Sequence, residues 1–293
     1  MSELEQRIAG LPIWRGRPRL EPLIGGLSNI SYVVSDAAGK YVVRAGRDFP
    51  FHHVLREREV MAARAAHAAG FAPEIVYAEH GLMVSRFVEG RVFTEADMRA
   101  NVGRVADFIR RFHDEMPHRV TGPAQMFWVF HVVRDYARAL GSSPNPLAAR
   151  LPGLLEINAD LEAAQVPLPI RFGHHDLLPA NFIDDGARLW LIDFEYAGFG
   201  TAMFDLAGIA SNAAFGPEEA RALLETYFGD TPSERLWLSF AAMAAASLRE
   251  ALWALVSEIH LNAPGADYDA YARQNFARFE VALAAYRALH ERS

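Results

Sequence analysis

The 293-residue chain has no cysteine, which removes disulfide frameworks, thiolate metal sites and cysteine nucleophiles from consideration. Lysine is almost as scarce. Of 29 basic residues only Lys40 is a lysine, so chemistry that usually recruits an ammonium group must use Lys40 or an arginine in its place. A net charge of −7 argues against a general nucleic-acid binder, because phosphate neutralisation takes a basic surface. Long apolar runs are missing as well: the uncharged stretch Leu236–Leu248 falls short of the ~20 residues that span a bilayer, and it reads as a buried helix. The start, Met1-Ser2-Glu3-Leu4-Glu5, lacks the basic and apolar regions of a signal peptide. A cytoplasmic protein without nucleic-acid or membrane partners is the expectation.

The remaining composition is that of an ordinary globular protein, 51% hydrophobic and 22% charged, long enough for one large domain or two modest ones. Its flavour changes once along the chain. Leu20–Leu23, Ile30–Ser35 and Tyr41–Ala45 are short β-branched or aromatic runs separated by Gly25-Gly26 and by the turn-like Asp36–Gly39. Phe51–Gly70 reads as a helix stopped by glycine, and Ile75–Glu79 and Leu82–Phe87 resume strand character. Glu89-Gly90 reads as a joint, followed by the capped helix start Thr94-Glu95-Ala96-Asp97. Helices are expected near Thr94–Glu115, Ala124–Leu140, Leu147–Gln165, Pro217–Phe228, Pro232–His260 and Ala266–Glu291. A short hairpin, Asn181–Ile183 and Leu189–Ile192, interrupts them at Asp184-Asp185-Gly186. The fold class is therefore α+β: residues 1–88 form a small antiparallel β lobe with one helix, and residues 89–293 a larger, mainly helical lobe.

The most informative chemistry lies between residues 173 and 205. Gly173-His174-His175-Asp176 precedes Asn181-Phe182-Ile183, and Leu191-Ile192-Asp193-Phe194-Glu195-Tyr196 follows on the other arm of the hairpin. Paired strands lie only about 5 Å apart, so Asp176, Asn181 and Asp193 can converge on one point. Hard oxygen ligands of this kind suit Mg²⁺, which takes its remaining ligands from water and phosphates. One carboxylate to accept a hydroxyl proton, with an Asn and a second Asp to hold a metal, is the division of labour that phosphoryl transfer needs. The pattern is similar to the His-Arg-Asp…Asn and Asp-Phe-Gly elements of protein kinases, with His175 in place of Arg and Glu195 in place of Gly. Upstream, Gly25-Gly26-Leu27-Ser28-Asn29-Ile30-Ser31 offers amides and small hydroxyls to phosphate, and an ordinary hairpin turn is the alternative. Strand alternation faces Arg44 opposite to Val43 and Ala45, and Lys40 sits at the strand's edge, so Arg44 is assigned as the phosphate cation and Lys40 as solvated, with Glu59, or else Glu57, as the carboxylate partner. The histidines His52, His53, His113, His118 and His131 lack zinc-ligand spacing.

These residues resemble the choline/ethanolamine kinase branch of the aminoglycoside-phosphotransferase-like kinases, from about Leu20 to Phe279. The likeness rests on Gly25-Gly26-Leu27-Ser28-Asn29, Tyr41-Val42-Val43-Arg44, Arg56-x-x-Glu59, Phe87-Val88-Glu89-Gly90, Arg111-Phe112-His113 and His174-x-Asp176…Asn181. It continues through Ile192-Asp193-Phe194-Glu195-Tyr196 and Phe204-Asp205-Leu206-Ala207. The resemblance implies a two-lobed protein-kinase-like fold and a phosphotransferase that uses ATP and Mg²⁺ and has a small alcohol as partner. It makes Asp176 the catalytic base, Asn181 and Asp193 the magnesium ligands, and His174 and Asp205 structural braces. Ser28, Asn29, Ser31, Arg44 and Glu59 fall on the nucleotide side with Ser85 and Phe87, the segment Met83–Phe87 carrying the backbone expected to hydrogen-bond adenine. Glu195, Tyr196, Glu250, Trp253 and Tyr271 fall on the acceptor side. Glu250 stands where eukaryotic members carry a second tryptophan; it either meets a cationic substrate or pairs with a nearby arginine. Kinases for thiamine, an aminoglycoside or another hydroxylated amine are the alternative, and a nucleotide-binding pseudokinase the rival of another class.

Overall fold

The computed structural model describes residues 1–23, 29–142, 147–261 and 266–292. The chain opens with a short helix, α1 (Glu3–Ala9), closed by a reciprocal cap in which the Ser2 hydroxyl accepts the Glu5 amide and Glu5 accepts the Ser2 amide. Strands β1 (Arg19–Leu23), β2 (Ile30–Asp36) and β3 (Gly39–Ala45) follow, then α2 (Arg56–Ala68), β4 (Ile75–Glu79) and β5 (Leu82–Arg86). The five strands form one antiparallel sheet in the order β1-β2-β3-β5-β4. Its register sorts the side chains into two faces. Tyr32, Val43 and Val84 are opposite one another and pack with Val34, Tyr41, Ile8 and Leu11 into a closed core under α1. Ser31, Arg44 and Met83 are likewise opposite one another, and period-2 alternation sends them to the other face.

Past the sheet come β6 (Arg91–Val92), α3 (Glu95–Ala100), α4 (Val102–Glu115), α5 (Val129–Gly141) and α6 (Leu151–Ala163). The strands β7 (Ile170–Gly173), β8 (Phe182–Asp184), β9 (Leu189–Leu191) and β10 (Gly198–Thr201) then lead into α7 (Ala202–Asn212), α8 (Pro217–Phe228), α9 (Glu234–Ala245), α10 (Leu248–His260) and α11 (Tyr268–His290). The β8–β9 hairpin is joined by β6, while β7 and β10 make a separate two-stranded ribbon. A second, larger core holds the helices together. Helix α2 belongs to it: Ala62, Ala63, Ala65 and Ala66 pack in the helical core rather than under the sheet. Its small residues let the helix approach closely, and Gly70, at φ +84°, ends it with the Phe71 amide on the Ala66 carbonyl.

Several boundaries differ from the sequence reading. The expected helix from Phe51 starts only at Arg56, because Phe49 and Val54 pair across a one-turn 3₁₀ segment at Pro50–His52. The helix expected from Thr94 breaks at Asn101, whose amide bonds back to the Asp97 carbonyl. The helix expected from Ala124 starts at Val129, because Gln125 and Phe127 exchange backbone hydrogen bonds with Phe199. The long helix of 232–260 is interrupted at Ala246-Ser247. By length and hydropathy Glu234–His260 is sufficient to cross a membrane, but 72% of its most apolar window is buried inside the fold. Elements α1, β10 and α7 were not foreseen at all.

Candidate active site

The turn after β7 is locked by a buried carboxylate. Asp205, in the first turn of α7, accepts the backbone amides of His174 at 2.8 Å and His175 at 2.7 Å, and His113 Nε2 at 2.8 Å. Burial alone would raise this carboxyl, but the His113 hydrogen bond and the surrounding imidazoles hold it below the usual carboxylate range. His175 adopts φ +64°, with its ring flat on Phe127 at 4.4 Å and its Nδ1 donating to the Tyr196 carbonyl. His174 Nε2 donates to the Ile192 carbonyl at 2.9 Å, and its Nδ1 accepts the Asp176 amide at 3.2 Å. Burial takes both imidazoles down to about 4, so they are neutral and this tautomer is fixed by its partners. Asn181 Nδ2 then donates to the Asp176 carbonyl at 2.8 Å, and the Ile192 amide donates to the Asn181 carbonyl at 3.1 Å. Asp176, Asn181 and Asp193 are thereby held in one hydrogen-bonded frame.

Asp193, at φ +69°, meets the sheet lobe. Arg44 Nη2 lies 2.6 Å from Asp193 Oδ1 and 3.0 Å from Glu195 Oε2, and its Nη1 lies 3.0 Å from Glu59 Oε1. Arg56 completes the cluster, with Nη1 at 2.6 Å from Glu59 and 2.9 Å from Glu195. Asn29 Nδ2 donates to Glu195 at 3.2 Å. Burial works against the charged form of Arg44, yet Asp193, Glu59 and Glu195 raise it, so the guanidinium stays charged. Glu59 is pushed up by burial despite its two arginines. Two guanidinium groups thus face three carboxylates, a surplus of one negative charge. A cleft of about 1040 Å³ runs along this cluster, lined by Asn29, Arg44, Arg56, Glu59 and Met83.

The structure places the remaining sequence-derived residues as follows. Lys40 is exposed near the start of β3, where its Nζ lies 2.7 Å from Glu89, away from the Arg44 cluster. Glu195, expected on the acceptor side, lies in the charged cluster instead, buried and paired with both Arg44 and Arg56. Ser31 is directly opposite Arg44, and Ser85 opposite Val42, both on the cleft face of the sheet. The amides of Arg86 and Phe87 donate to the Glu74 and Lys40 carbonyls, so neither is available to a nucleobase. Ser28 lies outside the described residues, together with 24–27. Arg56 is the participant that sequence reasoning quoted without assigning; its signal was the i, i+3 spacing to Glu59, which puts both on one helix face.

On the other side of the hairpin, Asp176 is desolvated. Burial, then the charges of Asp193 and Glu250, raise its carboxyl well above the usual range, and Arg249 opposes them. Trp253 Nε1 donates to the Tyr196 hydroxyl at 2.9 Å, and the Tyr271 ring meets Trp253 edge-on at 5.8 Å. Glu250 pairs with Arg249. A small cavity of about 40 Å³ opens here, lined by Asp176, Ser247, Glu250 and Arg278 among others.

Among the described residues no cluster of three or more His, Asp and Glu has metal-holding geometry. Magnesium does not require one, since it is held by one or two protein oxygens plus water and phosphate. Asn181 and Asp193 supply hard oxygens of this type beside an excess of negative charge, and the donor set fits that ion. A base-like carboxylate, an Asn–Asp pair and an arginine–glutamate pair on a two-lobed α+β frame define a phosphotransferase.

Residues 19–237 match the model of the phosphotransferase enzyme family, and the chain belongs to that family. The protein LicA of Haemophilus influenzae is 28% identical over 71% of this chain and 62% of its own length. A probable ethanolamine kinase of Arabidopsis thaliana is 28% identical over 64% of this chain and 54% of its own. The chain thus spans less than two thirds of either relative. The crystal structure of a choline/ethanolamine kinase family protein from Mesorhizobium loti is 27% identical, covers 98% of both chains and superposes with a TM-score of 0.76.

Proposed function

We propose that the protein moves the γ-phosphoryl group of ATP to the hydroxyl of a small amino alcohol of the choline/ethanolamine kind. The observation that carries this reading is the frame that holds Asp176, Asn181 and Asp193 together and joins Asp193 to the Arg44–Glu59 pair. Residues 1–88 carry the nucleotide side and residues 89–293 the catalytic and acceptor side. Asp176 accepts the proton of the attacking hydroxyl; its desolvation makes it a stronger base than an exposed carboxylate. Asn181 and Asp193 hold Mg²⁺, which when bound supplies charge neutralisation on the phosphates. Arg44, fixed by Glu59, points at the same phosphates, and Asn29 and Ser31 flank them. Ser85 and Phe87 lie beside the adenine, with the Arg86 and Phe87 amides kept within the sheet. His174 and Asp205 act as braces only. The narrow cavity beside Asp176 favours a small acceptor over thiamine or an aminoglycoside. ATP use of this kind and the absence of cysteine both suit a cytoplasmic location.

The test is ADP release from ATP and Mg²⁺ against choline, ethanolamine, thiamine, an aminoglycoside and homoserine, with Asp176→Asn as control. Selective turnover of an amino alcohol that disappears in the variant is the expected result. Nucleotide binding with no turnover of any acceptor defeats the proposal and leaves the pseudokinase.

A further inference from the structure

Among the described residues Arg249 is the largest side chain wholly inside the fold, 2% exposed at the start of α10. Its Nη1 pairs with Glu250, but its Nε and Nη2 have no hydrogen-bond partner among the described residues. Such a buried cation is expensive unless something else answers its charge. Here the compensation comes from ring faces: the guanidinium carbon lies 4.3 Å from the Tyr196 ring centroid and 5.8 Å from that of Phe127. The neighbouring aromatic surface is filled as well. His52 stacks on Trp253 at 5.1 Å, and Tyr268 and Tyr271 close on its edges at 6.3 and 5.8 Å. The ring faces that attract a cation in this pocket are therefore taken by the protein's own groups.

The 40 Å³ cavity on the other side of Glu250 is different in kind. That volume holds on the order of one or two water molecules. The Ser247 hydroxyl is buried there without a partner, one turn before Glu250, whose side chain is 28% exposed. Asp176 lines the same cavity, and Arg278 is the one cation among its lining residues. A primary ammonium has hydrogen bonds to donate to a carboxylate and a hydroxyl, whereas a quaternary ammonium has none and would leave both desolvated.

We propose that Arg249 is a specificity-determining residue: seated over Tyr196 and Phe127, it keeps quaternary ammonium groups out of the aromatic pocket and leaves Glu250 and Ser247 to receive an acceptor with a primary ammonium. This rests on the amino-alcohol kinase reading and narrows it to ethanolamine-like acceptors.

The experiment compares kcat/KM for ethanolamine and choline in the wild-type protein and in Arg249→Met. Wild type is expected to favour ethanolamine by at least ~10-fold, about 1.4 kcal/mol. Arg249→Met, which vacates the seat, should shift the ratio toward choline by ~10-fold or more, and tetramethylammonium should inhibit only the variant. If Arg249→Met does not fold, Ser247→Ala carries the test, with KM for ethanolamine expected to rise several-fold and KM for choline to stay put. Equal or better use of choline by the wild type overturns the proposal while the kinase reading stands, as does an unchanged ratio in whichever variant folds. Failure of both amines with nucleotide binding intact defeats the kinase reading, and this proposal with it.

Discussion

Asp205 is buried and Asp176, twenty-nine positions before it in sequence, is half-buried, and their surroundings push the two carboxyls in opposite directions. Asp176 meets carboxylates; Asp205 meets three donors. The raised Asp176 carboxyl binds its proton more tightly in the folded chain than in the unfolded one, so its ionisation costs stability as pH rises above the ordinary carboxylate value near 4. Asp176→Asn should therefore raise the melting temperature at pH 7 while lowering kcat by roughly 10²-fold or more, an opposition that separates a catalytic base from a brace. As the base must be ionised, kcat/KM should fall on the acid side at a pH above 4. Glu250→Gln, which removes one of the charges that raise Asp176, should move that limb to lower pH. Asp205 carries the reverse sign: its low carboxyl pKa gives stability that is complete above the unfolded value and is lost as pH falls below it. Asp205→Asn places an amide donor against the His113, His174 and His175 donors and should cost about 3 kcal/mol or more in chemical denaturation, with activity lost because the turn is lost.

At the scale of elements, the ribbon β7–β10 supports the turn that carries Asp176. Gly173 pairs with Gly198, and Gly200 pairs with Arg171. A Cβ on Gly173 would lie 2.4 Å from His175 Nε2 and 3.0 Å from Asp205 Oδ2. Gly173→Ala should therefore displace the His175 ring and lower kcat by ~10-fold or more, with KM for ATP little changed; a fully active variant would show that the ring position is immaterial. This ribbon also marks where the sequence stopped being legible. The runs around Asp176, Asn181 and Asp193 were readable because strand alternation and hairpin spacing are local, and so was Arg44, on the correct face of β3. Strand β10 reads as Gly-Phe-Gly-Thr, poor in β-branched residues, and is made a strand by its partners β7 and Phe127 rather than by propensity. Glu195 was misplaced because its fate depends on Arg44 and Arg56, 151 and 139 positions away in sequence. The aromatic residues near Trp253 were readable as a group, but that Arg249 would fill the space between them is a matter of packing alone.

At the scale of the whole molecule, two cores share a small charged joint. The sheet closes its own core under α1, and α2 belongs to the helical core, so Arg44 reaches across from one to meet Glu59, Asp193 and Glu195 attached to the other. The joint carries one more carboxylate than cations, and like-charge strain there is relieved by any cation that settles between Asn181 and Asp193. Nucleotide with magnesium should therefore stabilise both cores as a unit. At 100 times its Kd the pair adds about 2.7 kcal/mol to the folded state, which for a chain of this size raises the melting temperature on the order of 5 °C in a single transition. Arg44→Met removes the cation that ties Asp193 to the sheet and leaves three carboxylates against Arg56 alone. Its melting temperature without ligand should fall, and the shift produced by ATP with magnesium should shrink below ~2 °C, whereas Arg44→Lys, which keeps the charge but not the forked geometry, should retain part of it. A full ligand shift in Arg44→Met would mean that the nucleotide is held by the helical lobe alone and that the joint is structural. A reduced ligand shift in Arg44→Met, partly restored in Arg44→Lys, would place Arg44 on the phosphates.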